Sequence, residues 1–353
     1  MTRRRKRPQR RLLAGPLLLV AGASLLAARR IGSRAGYDLR GRTVLITGGS
    51  RGLGLALASE MAAQGARLII CGRDRGSLER AAAKLANTGA EVLAISADVT
   101  DRESVADMVE AVRQRYGHVD VLVNNAGVIE VGPAQAMSLA DYEEAMATNF
   151  WGMLYPTLAL LPEMRARRSG RIVNITSIGG KLGIPHLLPY SASKFAAVGF
   201  SQGLRAELAG DGIKVVTVCP GLMRTGSPRN AIFRGQHRSE YAWFSISDAL
   251  PGLSISAESA ARRIVAACRR GDAEVLFPLP AKLASVVNAV APGFTAGVLA
   301  TVDRLLPGAD KAGAGRRRGA ESQSWLSPSW VTSLGDQAAR KFNQIAPNEG
   351  ATA

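Results

Sequence analysis

The sequence predicts a three-layer α/β/α domain built on a doubly wound parallel sheet. Apolar runs of strand length alternate with longer helical patterns from Thr43 to about residue 280. The runs are apolar throughout, as expected for strands that are covered on both faces. With 353 residues, 47% hydrophobic content and 38 glycines, the chain is large enough for one α/β core with extensions.

The predicted elements follow each other in strict alternation. The strand runs are TVLITG, ARLIICG, EVLAISAD, VDVLVNNAG, RIVNITS, IKVVTVC and AEVLFP. The helical patterns are GLGLALASEMAAQG, RGSLERAAAKLANTG, DRESVADMVEAVRQRYG, a long region over about 138–168, YSASKFAAVGFSQGLRAELAG and SAESAARRIVAACRRG, the last with Ser256 as its expected cap. This order is typical of a Rossmann-like fold.

The remaining segments give the domain boundaries. We predict a basic N-terminus with a candidate anchor over 1–36, a catalytic domain over 37–280, an apolar segment over 281–306 and a mostly disordered tail over 307–353. Within the domain, Pro220 to about Ser254 is predicted to be a long mobile loop, which often acts as a lid.

Charge and cysteine content exclude several classes of protein. The net charge is +17, but residues 1–42 carry twelve Arg and Lys against Asp38, which leaves only +6 for the rest. With no nucleic-acid motif present, we expect no nucleic-acid partner. Cys71, Cys219 and Cys268 are too widely spaced for a zinc cluster, and we expect no metal and buried thiols.

The N-terminus contains an apolar run between arginines. Leu12–Ala28 holds 17 uncharged residues, about 26 Å as a helix, which is the lower limit for a membrane span. A membrane anchor is the favoured interpretation. A cleaved signal peptide, a twin-arginine signal and an ordinary buried or surface helix remain alternatives. The flanking charges hardly decide the orientation.

The motif TGGSRGLG, Thr47 to Gly54, lies between the first strand and the first helix. Gly48 allows a sharp turn, while Gly52 and Gly54 let backbone and helix approach a pyrophosphate. The helix N-terminus offers free N–H groups and a partial positive charge. Glycine-rich turns also arise for packing alone, but here the context favours nucleotide binding.

In the motif YSASK, Tyr190 and Lys194 are spaced i, i+4 and share one face of a predicted helix. The free pKa of tyrosine is near ~10, and a nearby ammonium group favours the phenolate. We therefore expect Lys194 to lower the pKa of Tyr190. An isolated pair of this kind is mostly a coincidence of surface residues.

Together these motifs resemble the short-chain dehydrogenase/reductase family over about residues 40–280. The resemblance consists of TGxxxGxG, NNAG at Asn124–Gly127, Asn149 in ATNFWG, Ser177 placed 13 residues before Tyr190, YSASK, and PGLMRT ending at Thr225. It is specific for the family and says little about the substrate.

The resemblance implies four catalytic roles. Tyr190 would exchange a proton with the reacting oxygen, and Lys194 would tune Tyr190 and hold the nicotinamide ribose. Ser177 would donate a hydrogen bond to the developing alkoxide, or simply cap the strand end. Asn149 would position a water in a proton relay, or satisfy local backbone groups. The hydride comes from the cofactor, so no metal is needed.

The resemblance also implies the residues that bind the cofactor. Asp98 would contact the adenine, unless it caps a helix, and Thr225 would contact the carboxamide. The full set is Thr47, Gly48, Ser50, Arg51, Gly52, Leu53, Gly54, Arg73, Asp98, Asn125, Ala126, Gly127, Tyr190, Lys194, Pro220, Gly221 and Thr225.

The end of the second strand bears on which nicotinamide binds. NAD-selective sites place an acid there for the ribose 2′-hydroxyl. This chain has Gly72 at that point, followed by Arg73, with Arg51 in the glycine loop. Two guanidiniums suit a 2′-phosphate, so NADP(H) is expected over NAD(H). Asp74 is the feature that argues against it.

The apolar 279–306 segment is expected to shape the entrance of the pocket or to rest on the membrane, with packing against the core or a neighbouring subunit as the alternative. Together with the apolar stretch GIPHLLPY and the candidate anchor, it indicates a lipophilic carbonyl or alcohol as substrate, such as a fatty acyl derivative, retinoid, steroid or other lipid. A cytosolic NADPH pool favours a membrane-associated enzyme with its catalytic domain on the cytoplasmic side. The family resemblance implies a homodimer or homotetramer that pairs through the helices at about 138–168 and 190–210.

Two other functions fit the sequence less well. A non-catalytic, membrane-anchored nucleotide sensor or scaffold would be expected to lack Tyr190, Lys194 or Ser177, and all three are present. An extended-type epimerase or dehydratase would have TGxxGxxG spacing and a larger C-terminal substrate domain, and the chain has neither.

Overall fold

The structure, a computed structural model, describes residues 36–309, 315–329 and 331–345. Its helices and strands belong to one compact unit that begins at Asp38. The candidate anchor at Leu12–Ala28 lies outside the described residues. Within the described ranges, no helix is long and apolar enough to cross a membrane.

A parallel sheet of seven strands forms the centre of the domain. Numbered along the chain, its strands are β1 Thr43–Thr47, β2 Arg67–Gly72, β3 Val92–Ser96, β4 Val121–Asn124, β5 Gly170–Ile175, β6 Ile213–Pro220 and β7 Glu274–Phe277. Their order across the sheet is β7-β6-β5-β4-β1-β2-β3. The predicted doubly wound, Rossmann-like fold is thus confirmed.

Burial explains why the strand runs are apolar throughout. In β1 every residue is buried, and Ile46 pairs with Ile70 of β2 and Val123 of β4. Helices cover both faces of the sheet, so the central strands meet apolar neighbours on both sides, while the edge strands β3 and β7 are only partly buried. The strand order reverses between β1 and β4, which opens a crevice at their carboxyl ends.

Several helices begin where the sequence offers a cap. Asp74 and Asp101 accept hydrogen bonds from the first turns of α2 and α3, and Ser256 caps α8 as predicted. The helices are α1 Gly52–Ala62, α2 Arg75–Ala86, α3 Arg102–Tyr116, α4 Leu139–Met146, α5 Gly152–Ala166, α6 Leu188–Glu207, α7 His237–Ala249, α8 Ala257–Arg270, α9 Leu279–Val290, α10 Pro292–Asp303 and α11 Ser333–Lys341.

The segment from Pro220 to Ser254 is not the long loop that the sequence analysis predicted. It contains α7 and the short strands Met223–Arg224 and Ile232–Phe233. Tyr241 and Phe244 of α7 are buried against Phe233, with ring centroids 5.4 and 6.1 Å from it. The glycines of the segment lie outside these elements, and the aromatic packing stabilises the helix.

The tail is also more ordered than predicted. Arg317–Arg318 pairs as an antiparallel strand with Ile232–Phe233, and α11 packs on the turn at Gly226. The helix can approach this turn closely only because residue 226 is a glycine, since a Cβ there would lie 2.4 Å from the Cα of Ala339. Residues 310–314, 330 and 346–353 lie outside the described ranges. We call the described residues 315–329 and 331–345 the C-terminal strap.

The apolar segment near residues 281–306 forms two helices. Proline begins the second of them, because Pro292 fits the first turn of α10. Within these two described helices, Ala281 and Thr295 alone are buried. The pair therefore adds little to the core.

Candidate active site

A cleft with a volume of about 340 Å³ lies at the carboxyl ends of the strands. It brings together residues that are far apart in sequence, from the glycine loop to the YSASK helix. Of the predicted site residues, those that line it are Gly48, Arg51, Gly52, Leu53, Gly54, Arg73, Asp98, Asn125, Ala126, Gly127, Asn149, Ser177, Tyr190, Lys194, Pro220, Gly221 and Thr225. Thr47 and Ser50 do not line it.

Thr47 instead holds the walls of the cleft together. Its side chain is fully buried, and its hydroxyl accepts hydrogen bonds from the backbone N–H groups of Asn125 and Ala126, at 2.9 and 3.0 Å. The amide of Asn125 donates back to the carbonyls of Thr47 and Gly48. These bonds join the end of β1 to the turn after β4, on the two sides of the crevice.

The glycines leave space that a side chain would fill. A Cβ on Gly54 would lie 2.1 Å from the carbonyl oxygen of Gly48, so the first turn of α1 can approach the loop only without one. A Cβ on Gly127 would lie 2.9 Å from Oδ1 of Asn149 and 3.6 Å from Nζ of Lys194. These bare positions and the N-terminus of α1 fit the phosphates and nicotinamide of a dinucleotide.

Ser177 and Tyr190 lie together on one wall. The Ser177 hydroxyl accepts a hydrogen bond from Gly179 N–H at 3.0 Å. Burial raises the pKa of Tyr190 to about 12, and a hydrogen bond with Ser177 acts in the opposite direction. Desolvation is the largest effect on this pKa, which lies above the ordinary value of tyrosine, and the expected lowering by Lys194 stays a prediction.

Lys194 points past the tyrosine and not at its hydroxyl. Its ammonium donates to the carbonyl of Ile175 at 3.1 Å and lies 5.6 Å from the centre of the Tyr190 ring. Its side chain is only 4% exposed. Burial lowers the pKa of Lys194 to about 8, while Cys219 and Glu130 act to raise it.

Asn149 lies in a π-helical turn, Ala147–Trp151, between α4 and α5. Its side chain accepts from Val128 N–H at 3.0 Å and donates to the Val128 carbonyl at 3.1 Å. It also donates to Ser193, whose hydroxyl donates to the carbonyl of Tyr190. The side chain thus satisfies local backbone groups, which was the alternative interpretation, and ties the turn after β4 to the YSASK helix.

Cationic groups gather around the end of β2. Arg51 donates a hydrogen bond to Asn230 at 3.1 Å. Burial lowers the pKa of Arg51, and the positive charges of Arg318 and Arg73 lower it further. The negative charge of Asp74 acts in the opposite direction. Asp98 accepts from the N–H and hydroxyl of Thr100, while its ion pair with Arg73 is long, at 3.8 Å.

The acid nearest to this strand end has another task. Asp74 accepts from Ser77 N–H at 2.6 Å as the cap of α2. Gly72, at the end of β2, lines the cleft, and a Cβ there would meet only the Ser50 hydroxyl, at 3.4 Å. Neither position presents an uncommitted carboxylate to a ribose.

The C-terminal strap reaches the glycine loop, which sequence reasoning missed. Gly52 N–H donates to the carbonyl of Phe342 at 2.8 Å. Asn343 donates to the carbonyls of Ser50 and Ser77, both at 2.9 Å. Three strap side chains also line the cleft: Arg316, Arg318 and Gln344. The Arg/Gly/Ser-rich composition of the tail led to a prediction of disorder, so these contacts could not be predicted from it.

Glu130 is a second residue that the sequence analysis missed. It is fully buried, and neither carboxylate oxygen has a hydrogen-bond partner in the described residues. Burial raises the pKa of Glu130 to about 8, Glu144 and Asp141 add to the effect, and Arg316 opposes it. An acid inside the apolar stretch VIEVG was the available signal.

The loop before Tyr190 is fixed to α7 by a buried acid. His186 has a φ of +60° and shares a 2.8 Å hydrogen bond between its Nδ1 and Glu240. Trp243 donates to the other Glu240 oxygen at 2.6 Å. An apolar cluster around Phe233 and Tyr241 packs here, and the Tyr190 ring, Ile129 and Ile184 lie against it.

Comparisons with known proteins agree with this geometry. The model of one family, described as short chain dehydrogenase, matches residues 42–232. A dehydrogenase/reductase SDR family protein 7-like of Anopheles gambiae is 35% identical over 265 residues, covering 73% of this chain and 82% of the relative. A 17-beta-hydroxysteroid dehydrogenase 13 of Rattus norvegicus is 40% identical over 198 residues, 55% of this chain and 65% of the relative. The solved L-sorbose reductase of Gluconobacter frateurii, complexed with NADPH and L-sorbose, is 28% identical, with a TM-score of 0.61 over 68% of this chain and 97% of that one.

Proposed function

The chain belongs to the short-chain dehydrogenase family, and we propose that it is an NADP(H)-dependent oxidoreductase that interconverts a carbonyl and an alcohol on a lipophilic substrate. The observation that carries this proposal is the shared cleft of Ser177, Tyr190 and Lys194, which continues to the glycine loop. A proton donor, an oxyanion partner and a cradle for a dinucleotide therefore lie in one site.

Each residue has a task in the proposed reaction. The nicotinamide, when bound, supplies or accepts the hydride. Tyr190 donates its proton to the carbonyl oxygen in reduction, and its pKa of about 12 keeps it protonated at neutral pH. Ser177 donates a hydrogen bond to the same oxygen. Lys194, with a pKa of about 8, can hold the ribose hydroxyls and pass a proton to Tyr190.

Asn149 belongs to the proposal as the residue that positions a relay water. Its side-chain amide is already bonded to Val128 and Ser193, so its main chain would have to contact the water. The π-helical turn favours such a role, because π-bulges are frequent at functional sites.

The preference for NADP(H) rests on the end of β2. Arg51, Arg73 and Arg318 line the cleft, Gly72 carries no acid and Asp74 is committed to its helix cap. A 2′-phosphate suits this charge, since guanidinium groups bind phosphate through two parallel hydrogen bonds. The NADPH complex of the L-sorbose reductase gives further support.

The lipophilic substrate rests on the apolar cluster beside Tyr190. Ile129 and the tyrosine ring pack against this cluster and also line the cleft, together with Met223 and Ile232, so a fatty acyl, retinoid or steroid carbonyl would meet apolar groups there. The hydroxysteroid dehydrogenase named above supports this class. The apolar run at Leu12–Ala28 supports a membrane-associated enzyme, and the NADPH pool supports a cytoplasmic catalytic domain.

The test is NADPH oxidation by the full chain in detergent, across aldehydes and ketones of rising chain length. We expect the rate to rise with chain length and to fall by about a thousandfold or more in Tyr190→Phe, which removes the proton donor. Tyr116→Phe is the matched control, because this half-buried tyrosine interacts with Glu91 and lies outside the cleft.

Equal turnover of small water-soluble and long-chain ketones would contradict the lipophilic substrate. Full activity in Tyr190→Phe would contradict the catalytic assignment. Tight NADPH binding without turnover of any carbonyl would instead favour a nucleotide sensor, for which the contact between Gly52 and the C-terminal strap would be the observation to pursue.

A further inference from the structure

Helices α9 and α10 form an apolar hairpin whose outer surface is uncovered. Leu283 is 56% exposed, Val290 77%, Phe294 66% and Leu305, just past α10, 82%. A helix of a soluble domain normally turns its apolar stripe toward the core. Here the stripe is reversed, so the hairpin exposes the face that a soluble fold would bury.

Helical spacing shows that these side chains form stripes. In α9 the exposed apolar residues are Leu279, Leu283, Val286, Val287 and Val290, and along α10 and beyond they are Phe294, Val298, Val302 and Leu305. Steps of three and four residues keep each set on one face of its helix. Scattered apolar residues are ordinary on surfaces, but two adjacent stripes make a contiguous patch that marks an interaction site.

The charge pattern indicates what covers this patch. Residues 283–302 contain no Asp, Glu, Lys or Arg, and the nearest charged residues are Lys282 before this run and Asp303 and Arg304 after it. Protein interfaces are rimmed by polar and charged groups. A run without charge fits a lipid surface better, and the long side chains of Lys282 and Arg304 that flank it could reach the headgroups, while Asp303 lies 3.7 Å from His186 of the protein.

Three polar side chains of the hairpin already have hydrogen-bond partners within the protein. Asn288 donates to the carbonyl of Lys181 at 3.0 Å. Thr295 and Thr301 donate to carbonyls one turn earlier, at 3.3 and 3.0 Å. Because a polar group without a partner is costly in hydrocarbon, these bonds remove an obstacle to insertion.

Length sets how the hairpin can lie. Each helix has 12 residues, which corresponds to about 18 Å and is too short for a hydrocarbon core of about 30 Å. Neither helix can cross the bilayer, but both can lie in one leaflet. We propose that the α9–α10 hairpin is a monotopic membrane-docking surface, with its apolar face inserted into one leaflet of a lipid bilayer.

A local probe tests this in the full chain, where other segments can also bind vesicles. Phe294→Cys is labelled with an environment-sensitive fluorophore, which is selective because Cys71, Cys219 and Cys268 are buried. The control is Asn87→Cys, on an exposed turn beside β3, at the sheet edge opposite to β7. With vesicles of phosphatidylcholine and phosphatidylserine, we expect a blue shift and quenching by spin-labelled acyl chains at position 294 and neither at position 87.

A second variant separates insertion from simple proximity. Val290→Asp in the Phe294→Cys background should reduce quenching severalfold and leave the melting temperature unchanged, because Val290 is mostly exposed. Ala83→Asp on α2 is the matched control and should change neither.

Two results would overturn the proposal. In one, the label at position 294 stays in water while the chain sediments with vesicles. In the other, the label is already shielded without vesicles, and the shielding follows protein concentration, which would assign the face to a second copy of the chain.

Discussion

Glu130 and Lys194 are the side chains whose ionisation the fold changes most clearly beside the candidate site. Burial favours the neutral form of both, raising the pKa of Glu130 to about 8 and lowering that of Lys194 to about 8. Glu130 also raises the pKa of Tyr190. At residue scale, desolvation therefore sets the proton affinities around Tyr190 more than direct ion pairing does.

Replacing Glu130 should change how stability depends on pH. Its folded pKa is about 8 and its ordinary value 4.5, so between these values the folded chain holds a proton that the unfolded chain releases. The contribution of Glu130 to stability is then fully present below pH 4.5 and is lost as the pH rises to about 8. Glu130→Gln should remove this part of the slope, worth roughly 3 kcal/mol or more.

Urea unfolding at a series of pH values measures how the free energy of unfolding depends on pH in both proteins. Asp248, whose pKa burial raises to about 7, contributes a slope of the same sign in both proteins. Glu79→Gln, at an exposed position of α2, is the control. An unchanged slope in Glu130→Gln would show that the carboxylate has partners in solution.

Removing the arginines beside β2 should weaken the binding of NADPH and hardly change the binding of NADH. Arg51→Ala and Arg73→Ala should each weaken NADPH binding by about tenfold, since a charge-assisted hydrogen bond contributes about 1.5–3 kcal/mol. NADH, which has no 2′-phosphate, should bind almost as before. Calorimetric titration with both cofactors measures this, with Arg115→Ala outside the cleft as control. A wild-type chain that binds NADH tighter than NADPH would contradict the assignment.

At the scale of elements, the C-terminal strap is the part that most changes the picture of the site. Its α11 packs against the Gly226 turn, and the residues after it reach the glycine loop. The carbonyl of Phe342 accepts a hydrogen bond from the N–H of Gly52. Backbone N–H groups at such a helix N-terminus are the groups that bind a pyrophosphate. On the proposed function, a bound dinucleotide would therefore compete with the strap for the same donor.

Detaching the strap should speed cofactor entry. A Cβ on Gly319 would lie 2.0 Å from the carbonyl oxygen of Pro228, whereas a Cβ on Gly315 meets nothing within 4 Å. We expect Gly319→Ala to make the strap more sensitive to trypsin and to raise the association rate of NADPH, with Gly315→Ala unchanged. Stopped-flow fluorescence measures the rate. A slower association in Gly319→Ala would mean that the strap helps to bind the cofactor.

At the scale of the whole molecule, exposed apolar residues lie on the surface through which the expected homo-oligomer would pair. Trp151 is 39% exposed, Leu158 on α5 is 52% exposed and Phe195 on α6 is 46% exposed. These residues lie in the two regions through which the family resemblance implies pairing. A dimer would remove this apolar area from water.

A charge on that surface should separate the subunits. Leu158→Arg would place an unpaired cation in the interface, so the sedimentation mass should fall to that of the monomer. Leu253→Arg is the control, since this leucine is 46% exposed in a turn outside the two regions. An unchanged mass in Leu158→Arg would place the interface elsewhere or show that the chain is a monomer.

Local spacing determined what the sequence predicted well. The seven strands could be predicted because strands buried on both faces are apolar throughout, and the glycine loop because its spacing is set within one turn. Tyr190 and Lys194 share a helix face at any position in a fold. Such features need only neighbouring residues to define them.

Contacts between distant residues decided the rest. Helix α7 is stabilised because Tyr241 and Phe244 pack against Phe233. The strap can pack closely because Gly226 and Gly319 have no side chain at the contact. Asn149 binds Val128 because the residues that follow β4 and α4 lie next to each other. The pKa of Tyr190 depends on how much water its surroundings exclude. Burial and close approach are properties of the assembled chain, and composition within a short window does not encode them.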